Sequence, residues 1–145
     1  MITICEPVSS EDFESYYQLR WEILRKPWDQ PIGSEKDDAE HSSTHFMAKN
    51  ENGEVIGVAR LQKNSETEGQ VRFMAVRDDQ QGKGTGKKIM LAVEERAMRE
   101  NLASIVLQAR ENAVEFYKAL GYVVTEKTFK LWDIIQHYKM QKTLQ

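Results

Sequence analysis

The chain has 145 residues, enough for one domain with a real core, and its 40% hydrophobic and 30% charged content is ordinary for a soluble globular protein. A formal net charge of −3 argues against a nucleic-acid partner, which would need a basic face. Cys5 is the single cysteine, so no intrachain disulfide can form; with no signal-like leader and no apolar run near the roughly 18 residues of a membrane span, a cytoplasmic protein without a membrane partner is expected.

The first run, ITICEPV, reads as a short strand that stops at Pro7. SSEDFESYYQLRWEILRKP reads as a helix. Ser9 and Asp12 have capping-box spacing, Phe13, Tyr16, Leu19 and Ile23 fall on one face, and Pro27 ends the pattern. WDQPIGSEKDDAEHSS lacks periodicity and is a loop with room for one helical turn. THFMAKN and VIGVARLQKN, joined at Asn52-Gly53, have the signature of a β-hairpin, and QVRFMAV adds a third strand with Val71, Phe73 and Ala75 on one face. KKIMLAVEERAMREN is helical, with Ile89, Val93 and Ala97 in register and Met90 beside them. SIVLQAR is a nearly continuous apolar strand of the doubly buried kind. ENAVEFYKALG is a short helix, with Asn112 as its expected N-cap and Gly121 at its end. YVVTEKTFKLW and DIIQHYKMQKTL close the chain as two strands.

Between the third strand and the second long helix lies VRDDQQGKGTGKK, with Gly82, Gly84 and Gly86 at alternate positions. A nucleotide P-loop requires G-x-x-x-x-G-K-[ST]; here the spacing is short and Lys88 stands where the hydroxyl belongs. A dinucleotide fingerprint requires a third glycine where Lys87 stands. The pattern that remains is Q-x-x-G-x-G, starting at Gln81. Backbone N–H groups converging where such a turn enters a helix attract phosphate, and Lys83, Lys87 and Lys88 add positive charge. Glycine lets a pyrophosphate lie close to the chain.

This turn, the strand before it and NAVEFYKALGY farther on closely resemble the GNAT superfamily of N-acetyltransferases. The resemblance implies an α/β (α+β mixed sheet) architecture, the GNAT acyl-CoA N-acyltransferase fold. Its sheet is mostly antiparallel, with a parallel central crossover and flanking helices, in a single domain spanning residues 1–145. It implies acetyl-CoA as co-substrate, its pyrophosphate held by Gln81, Gly82, Lys83, Gly84, Thr85, Gly86 and Lys87. By the same resemblance, a bulged strand at Met74, Ala75 and Val76 pairs with the pantetheine arm, and Asn112 contacts the coenzyme. Tyr117 is rotated about 100° from Phe116 on the helix, so it can point past a Phe116–Leu120 core face into a cleft. The family places a tyrosine there, beside the coenzyme sulfur, as general acid.

Acetyl transfer to an amine also needs a group that takes the amine's proton. Glu68 falls too early, in the turn before the third strand, and Gln70 and Arg72 occupy the positions where a carboxylate would serve. His137, alternating with Ile135 and Lys139, is the candidate base, with structural hydrogen bonding as its competing role; for His45 the structural role leads, and it joins the acceptor-pocket candidates. LRWEILRKPW, DDAEHSSTHFMA, IGVARL and IIQHYKM further resemble the ElaA-like branch, although Gln136 stands where that branch often has proline.

The acceptor pocket is expected from Arg20, Arg25, Trp28 and His45. The Asp37, Asp38 and Glu40 cluster suits a cationic amine, and the arginines suit a substrate carboxylate; both chemistries stay open. The function expected is transfer of an acetyl group to a primary amine of a small molecule or peptide, by direct attack in a ternary complex, without a metal. A homodimer is the expected assembly. The rival is a non-catalytic acyl-CoA-binding module.

Overall fold

The computed structural model describes residues 1–144. Its elements follow the expected order: β1 Thr3–Cys5, α1 Ser10–Leu24, β2 Thr44–Lys49, β3 Val55–Lys63, β4 Glu68–Val76, α2 Thr85–Arg99, β5 Ser104–Arg110, α3 Val114–Ala119, β6 Val123–Leu131 and β7 Ile135–Thr143. The seven strands form one mixed sheet in the order β1-β2-β3-β4-β5-β7-β6. The β4–β5 ladder is parallel, from Glu68↔Ser104 to Val71↔Leu107, and α2 supplies its crossover. The β1–β2, β2–β3, β5–β7 and β6–β7 ladders are antiparallel. Among the described residues no helix is long and apolar enough to cross a membrane.

The chain folds as two compact units. The first comprises Met1–Gln62 with Phe73–Val93; the second comprises Lys63–Arg72 and the chain from Glu94 onward. In the first unit the expected capping box is present: the Ser9 hydroxyl accepts from the Asp12 N–H at 3.0 Å, and the Asp12 carboxylate accepts from the Ser9 N–H. Tyr16, Leu19 and Leu24 of α1 pack on Met47, Val58 and Ala75, with Phe13, Ile23 and Phe73 half-buried around them. The β2–β3 hairpin turns at Gly53, whose φ of +80° only glycine adopts freely; the Asn50 side chain accepts from the Asn52 and Glu54 N–H groups. Gly57 of β3 lies under the first turns of α2. A Cβ there would sit 2.6 Å from Ile89 Cδ1 and 3.3 Å from Thr85 Cγ2, so the missing side chain sets how closely that helix approaches the strand.

In the second unit, Ile105, Val106, Leu107 and Ala109 of β5 are buried, as a doubly covered strand requires. Glu94 on α2 is buried with Lys142 of β7 at 2.8 Å and the Tyr122 hydroxyl at 2.9 Å; Lys142 also donates to the Leu120 carbonyl at 2.8 Å, near the end of α3. The chain then turns at Gly121, φ +97°, as expected for a helix terminus.

Candidate active site

In the first unit the glycine turn has the backbone its sequence demands. Gly82 and Gly84 take φ of +77° and +83°, and nothing lies within 4 Å of where a Cβ would stand on either. The turn opens directly into α2 at Thr85, so the free N–H groups of the first helical turn lie beside it. Thr85 is 1% exposed, and its Oγ1 has no hydrogen-bond partner among the described residues. Buried polar atoms are rarely left so, and this one belongs to the first residue of α2, next to the turn whose backbone fits a pyrophosphate. Lys83, Lys87 and Lys88 are exposed. The Gln81 side chain is used differently from expectation. Its amide nitrogen donates to the Val76 carbonyl at 3.1 Å and reaches Asp78 Oδ1 at 3.3 Å, so it braces the turn from within. Gly86 is already inside the helix.

The strand before the turn is kinked at Phe73, whose φ is +55°, in the left-handed region. Met74, Ala75 and Val76 follow directly; Ala75 is buried and the other two are half-buried. Phe73 and Ala75 nonetheless both pack on the α1 cluster, as expected for one face of the strand. Glu68 is corrected as well: it is the first residue of β4, paired with Ser104, rather than part of the turn, and its carboxylate accepts from Asn64 Nδ2 at 3.0 Å.

The expected acceptor residues of the first unit resolve into a buried charge network. Arg20 is wholly buried and donates to the Glu35 carbonyl at 3.0 Å, Glu40 Oε2 at 2.9 Å and the Tyr16 hydroxyl at 2.9 Å. It is therefore an internal strut and not a ligand-facing arginine. Arg60 of β3, also wholly buried, holds Asp37 at 2.6 Å and Glu40 at 2.8 Å and donates to Gln62. Asp37 and Glu40, both partly open to solvent, are thus already paired with buried arginines, which weakens the case for an acidic lure for cationic amines. Arg60 was not anticipated, although an arginine inside a strand of buried apolar residues, following an acidic loop, is the signal for such a pair.

His45 is buried and both its nitrogens are engaged. Nε2 lies 2.6 Å from the Glu40 carbonyl, which can only accept, so Nε2 carries the proton; Nδ1 lies 2.8 Å from the Tyr16 hydroxyl, whose one proton also faces the Ala59 carbonyl at 3.0 Å. Burial lowers its pKa below the ordinary histidine value. With both ring nitrogens held within the protein His45 has the structural role, and it also lines the neighbouring cleft. A cleft of about 470 Å³ opens beside it, lined by Glu6, Phe13, Tyr17, Glu40 and His41 among others. Arg25 is half-buried and donates to the Ser34 and Leu24 carbonyls at 3.0 Å. Trp28 is half-buried in a 3-10 turn, Lys26–Trp28. Neither lines that cleft.

In the second unit, Tyr117 is the most buried residue of α3, at 6% exposure, while Phe116 and Leu120 are half-buried. The expected orientation is reversed: Tyr117 faces inward, with its ring edge-to-face against Phe116 at 5.0 Å and Tyr122 at 5.8 Å. Burial raises its pKa above the ordinary tyrosine value, so the phenol stays protonated. Asn112 does not cap α3. It sits in a 3-10 turn, Glu111–Ala113, and Ala113 precedes the helix without a side-chain cap. Asn112 is exposed. His137 is buried on β7, opposite Arg110 of β5, and stacks on Phe129 at 4.4 Å. Its Nδ1 lies 2.9 Å from the Ile135 carbonyl, which assigns the proton to Nδ1 and the lone pair to Nε2. Among the described residues no group of three or more His, Cys, Asp or Glu is placed to hold a metal ion.

Residues 26–144 match the family model described as an acetyltransferase (GNAT) domain. The uncharacterized N-acetyltransferase YjcF of Bacillus subtilis (strain 168) is 29% identical over 135 residues, 92% of this chain and 94% of YjcF. The crystal structure of Escherichia coli ElaA superposes with a TM-score of 0.83 at 18% identity, covering 98% of this chain and 99% of that one. An aminoglycoside 6'-N-acetyltransferase complexed with coenzyme A superposes with a TM-score of 0.81 at 13% identity, covering 100% of this chain and 97% of that one. The glycine turn, the mixed seven-stranded sheet and the family match agree, and this chain belongs to the GNAT acetyltransferase family.

Proposed function

We propose that the chain transfers an acetyl group from acetyl-CoA to a primary amine of a small molecule or peptide, by direct attack in a ternary complex. The observation that carries the reading is the pair Gly82 and Gly84, both at positive φ with open space on the side where a Cβ would stand, at the entry of α2. A coenzyme complex is known for a relative of the same fold.

In this reading the residues of the turn and the first N–H groups of α2 hold the pyrophosphate, with Lys83 and Lys87 balancing its charge. The Thr85 hydroxyl finds there the partner it lacks within the protein. The strand at Met74, Ala75 and Val76 receives the pantetheine arm, and Asn112 contacts the coenzyme. The thioester, when bound, supplies an activated acetyl group. Tyr117, held protonated by burial, donates its proton to the leaving sulfur. His137 takes the amine's proton at Nε2, since its Nδ1–H is committed to Ile135. A second reading, a non-catalytic acyl-CoA binder, draws support from His45, whose two nitrogens are both used internally.

Titration calorimetry with acetyl-CoA, with dephosphorylated pantetheine as control, tests the first step. Micromolar binding of the first alone is expected; binding of neither overturns both readings. Thiol release from acetyl-CoA across an amine panel then separates them, because a pure binder releases none.

A further inference from the structure

Phe73 is an aromatic residue in the left-handed region, inside a strand. Bulky side chains rarely adopt that conformation, and it persists only where the surroundings over-determine it. The surroundings here are the apolar cluster under α1 and three cations. The guanidinium carbons of Arg20, Arg60 and Arg25 lie 4.3, 4.9 and 5.6 Å from the centre of the Phe73 ring. A ring face carries negative quadrupolar potential, so guanidinium groups held against it are attracted, and more strongly when water is excluded. Arg20 and Arg60 are both wholly buried, and their positions are fixed from behind by Glu40, which both share, and by Asp37. Each also keeps its Nε–H buried without a hydrogen-bond partner among the described residues. Hydrogen bonding alone therefore does not account for where these groups sit; Arg20 also lies 5.0 Å from the Tyr16 and Tyr17 ring centres, and the Phe73 ring is the aromatic face that both buried arginines share.

We propose that Arg20 and Arg60 are positioning residues which clamp the Phe73 ring and so hold the kink that aims the backbone of Met74, Ala75 and Val76. The proposal rests on the reading of that strand as the pantetheine-receiving strand. The arginine pair belongs to neither binding event directly. It pre-orders the strand, and a pre-ordered strand binds more tightly because the ordering cost is met in folding. Phe73 is the hinge of the arrangement: its ring reports to the arginines and its φ sets the direction of the three residues that follow. The glycine turn has its own backbone geometry, set at Gly82 and Gly84, and is tied to the end of the strand by the Gln81 bond to the Val76 carbonyl rather than to the arginines.

The test compares two ligands on the same proteins. Acetyl-CoA spans strand and turn; adenosine 3',5'-bisphosphate carries only the nucleotide end. Phe73→Leu keeps an apolar side chain and removes the ring face, whereas Phe73→Tyr keeps the ring. Phe73→Leu is expected to weaken acetyl-CoA about tenfold and leave the bisphosphate unchanged, with Phe73→Tyr close to the parent protein. Should Phe73→Leu fail to fold, Arg20→Lys keeps the charge, removes the planar contact, and should split the two ligands the same way. Equal weakening of both ligands, or of neither, overturns the clamp. Failure of the parent protein to bind either ligand instead removes the coenzyme reading on which the clamp rests, so the two failures are distinct.

Discussion

Each unit buries a charged network, and the two differ in what they hold. The first sets two wholly buried arginines against Asp37 and Glu40, both partly open to solvent, and ties α1 and β3 to the loop that carries the acids. The second sets one buried carboxylate, Glu94, against a partly exposed lysine and a tyrosine, and ties α2 to β7 and the end of α3. In the first the buried charge is positive and must be answered from a long loop; in the second it is negative and is answered by Lys142 on a strand and by Tyr122 in the short turn between α3 and β6. Loops have more alternative conformations to lose, so the first network does the more costly ordering. It is also the one that touches the kinked strand, which suggests that the first network preorganises a site and the second braces a scaffold.

The largest effect should come from Arg60→Met. It removes the arginine that holds Asp37 and leaves Glu40 to Arg20, and urea unfolding should show a loss of about 3 kcal/mol. Next comes Tyr117→Phe, which keeps the ring packed on Tyr122 and removes only the hydroxyl. Turnover should fall about a hundredfold with little change in acetyl-CoA affinity or melting temperature, which would separate chemistry from bracing within the second unit. Lys142→Met should cost less than Arg60→Met, about 1–2 kcal/mol, because water can reach the vacated position and Glu94 keeps the Tyr122 hydroxyl. A cost equal to that of Arg60→Met would erase the distinction between the networks.

The smallest effect is one of pH. Burial depresses His45, so the unfolded chain binds its proton first as the medium becomes acidic. The stability it contributes is complete above the ordinary value of 6.5 and is lost as pH falls through the lower folded value. Melting temperatures at pH 7.5 and 5.5 should therefore fall further for the parent protein than for His45→Gln. Equal falls would remove His45 as the source.

What could be read from the sequence was local. The capping box of α1, the Asn52-Gly53 hairpin, the Ile89–Val93–Ala97 face and the glycine turn each depend on residues a few positions apart. What escaped depends on tertiary partners. A helical wheel gives the angle between Phe116 and Tyr117 but not which of them meets the core, and Tyr117 does. Asn112 looked like a cap because the 3-10 turn that delays α3 has no distinct signature. Arg20 and His45 looked available because their partners, Glu40 and Tyr16, are chosen by the fold. The kink at Phe73 has no glycine to announce it.

Gly57 has a consequence for anyone who maps this protein by substitution. It sits in β3, outside the phosphate turn, and has an ordinary strand conformation, yet even alanine there must push the end of the Ile89 side chain aside. Alanine meets only that end, but Thr85 begins the helix that follows the turn and Ile89 lies one turn on, so a bulkier residue would tilt the cradle without touching a ligand. A saturation screen scored on coenzyme capture would rank Gly57 beside Gly82 and Gly84, and would mark as a contact what is a spacer.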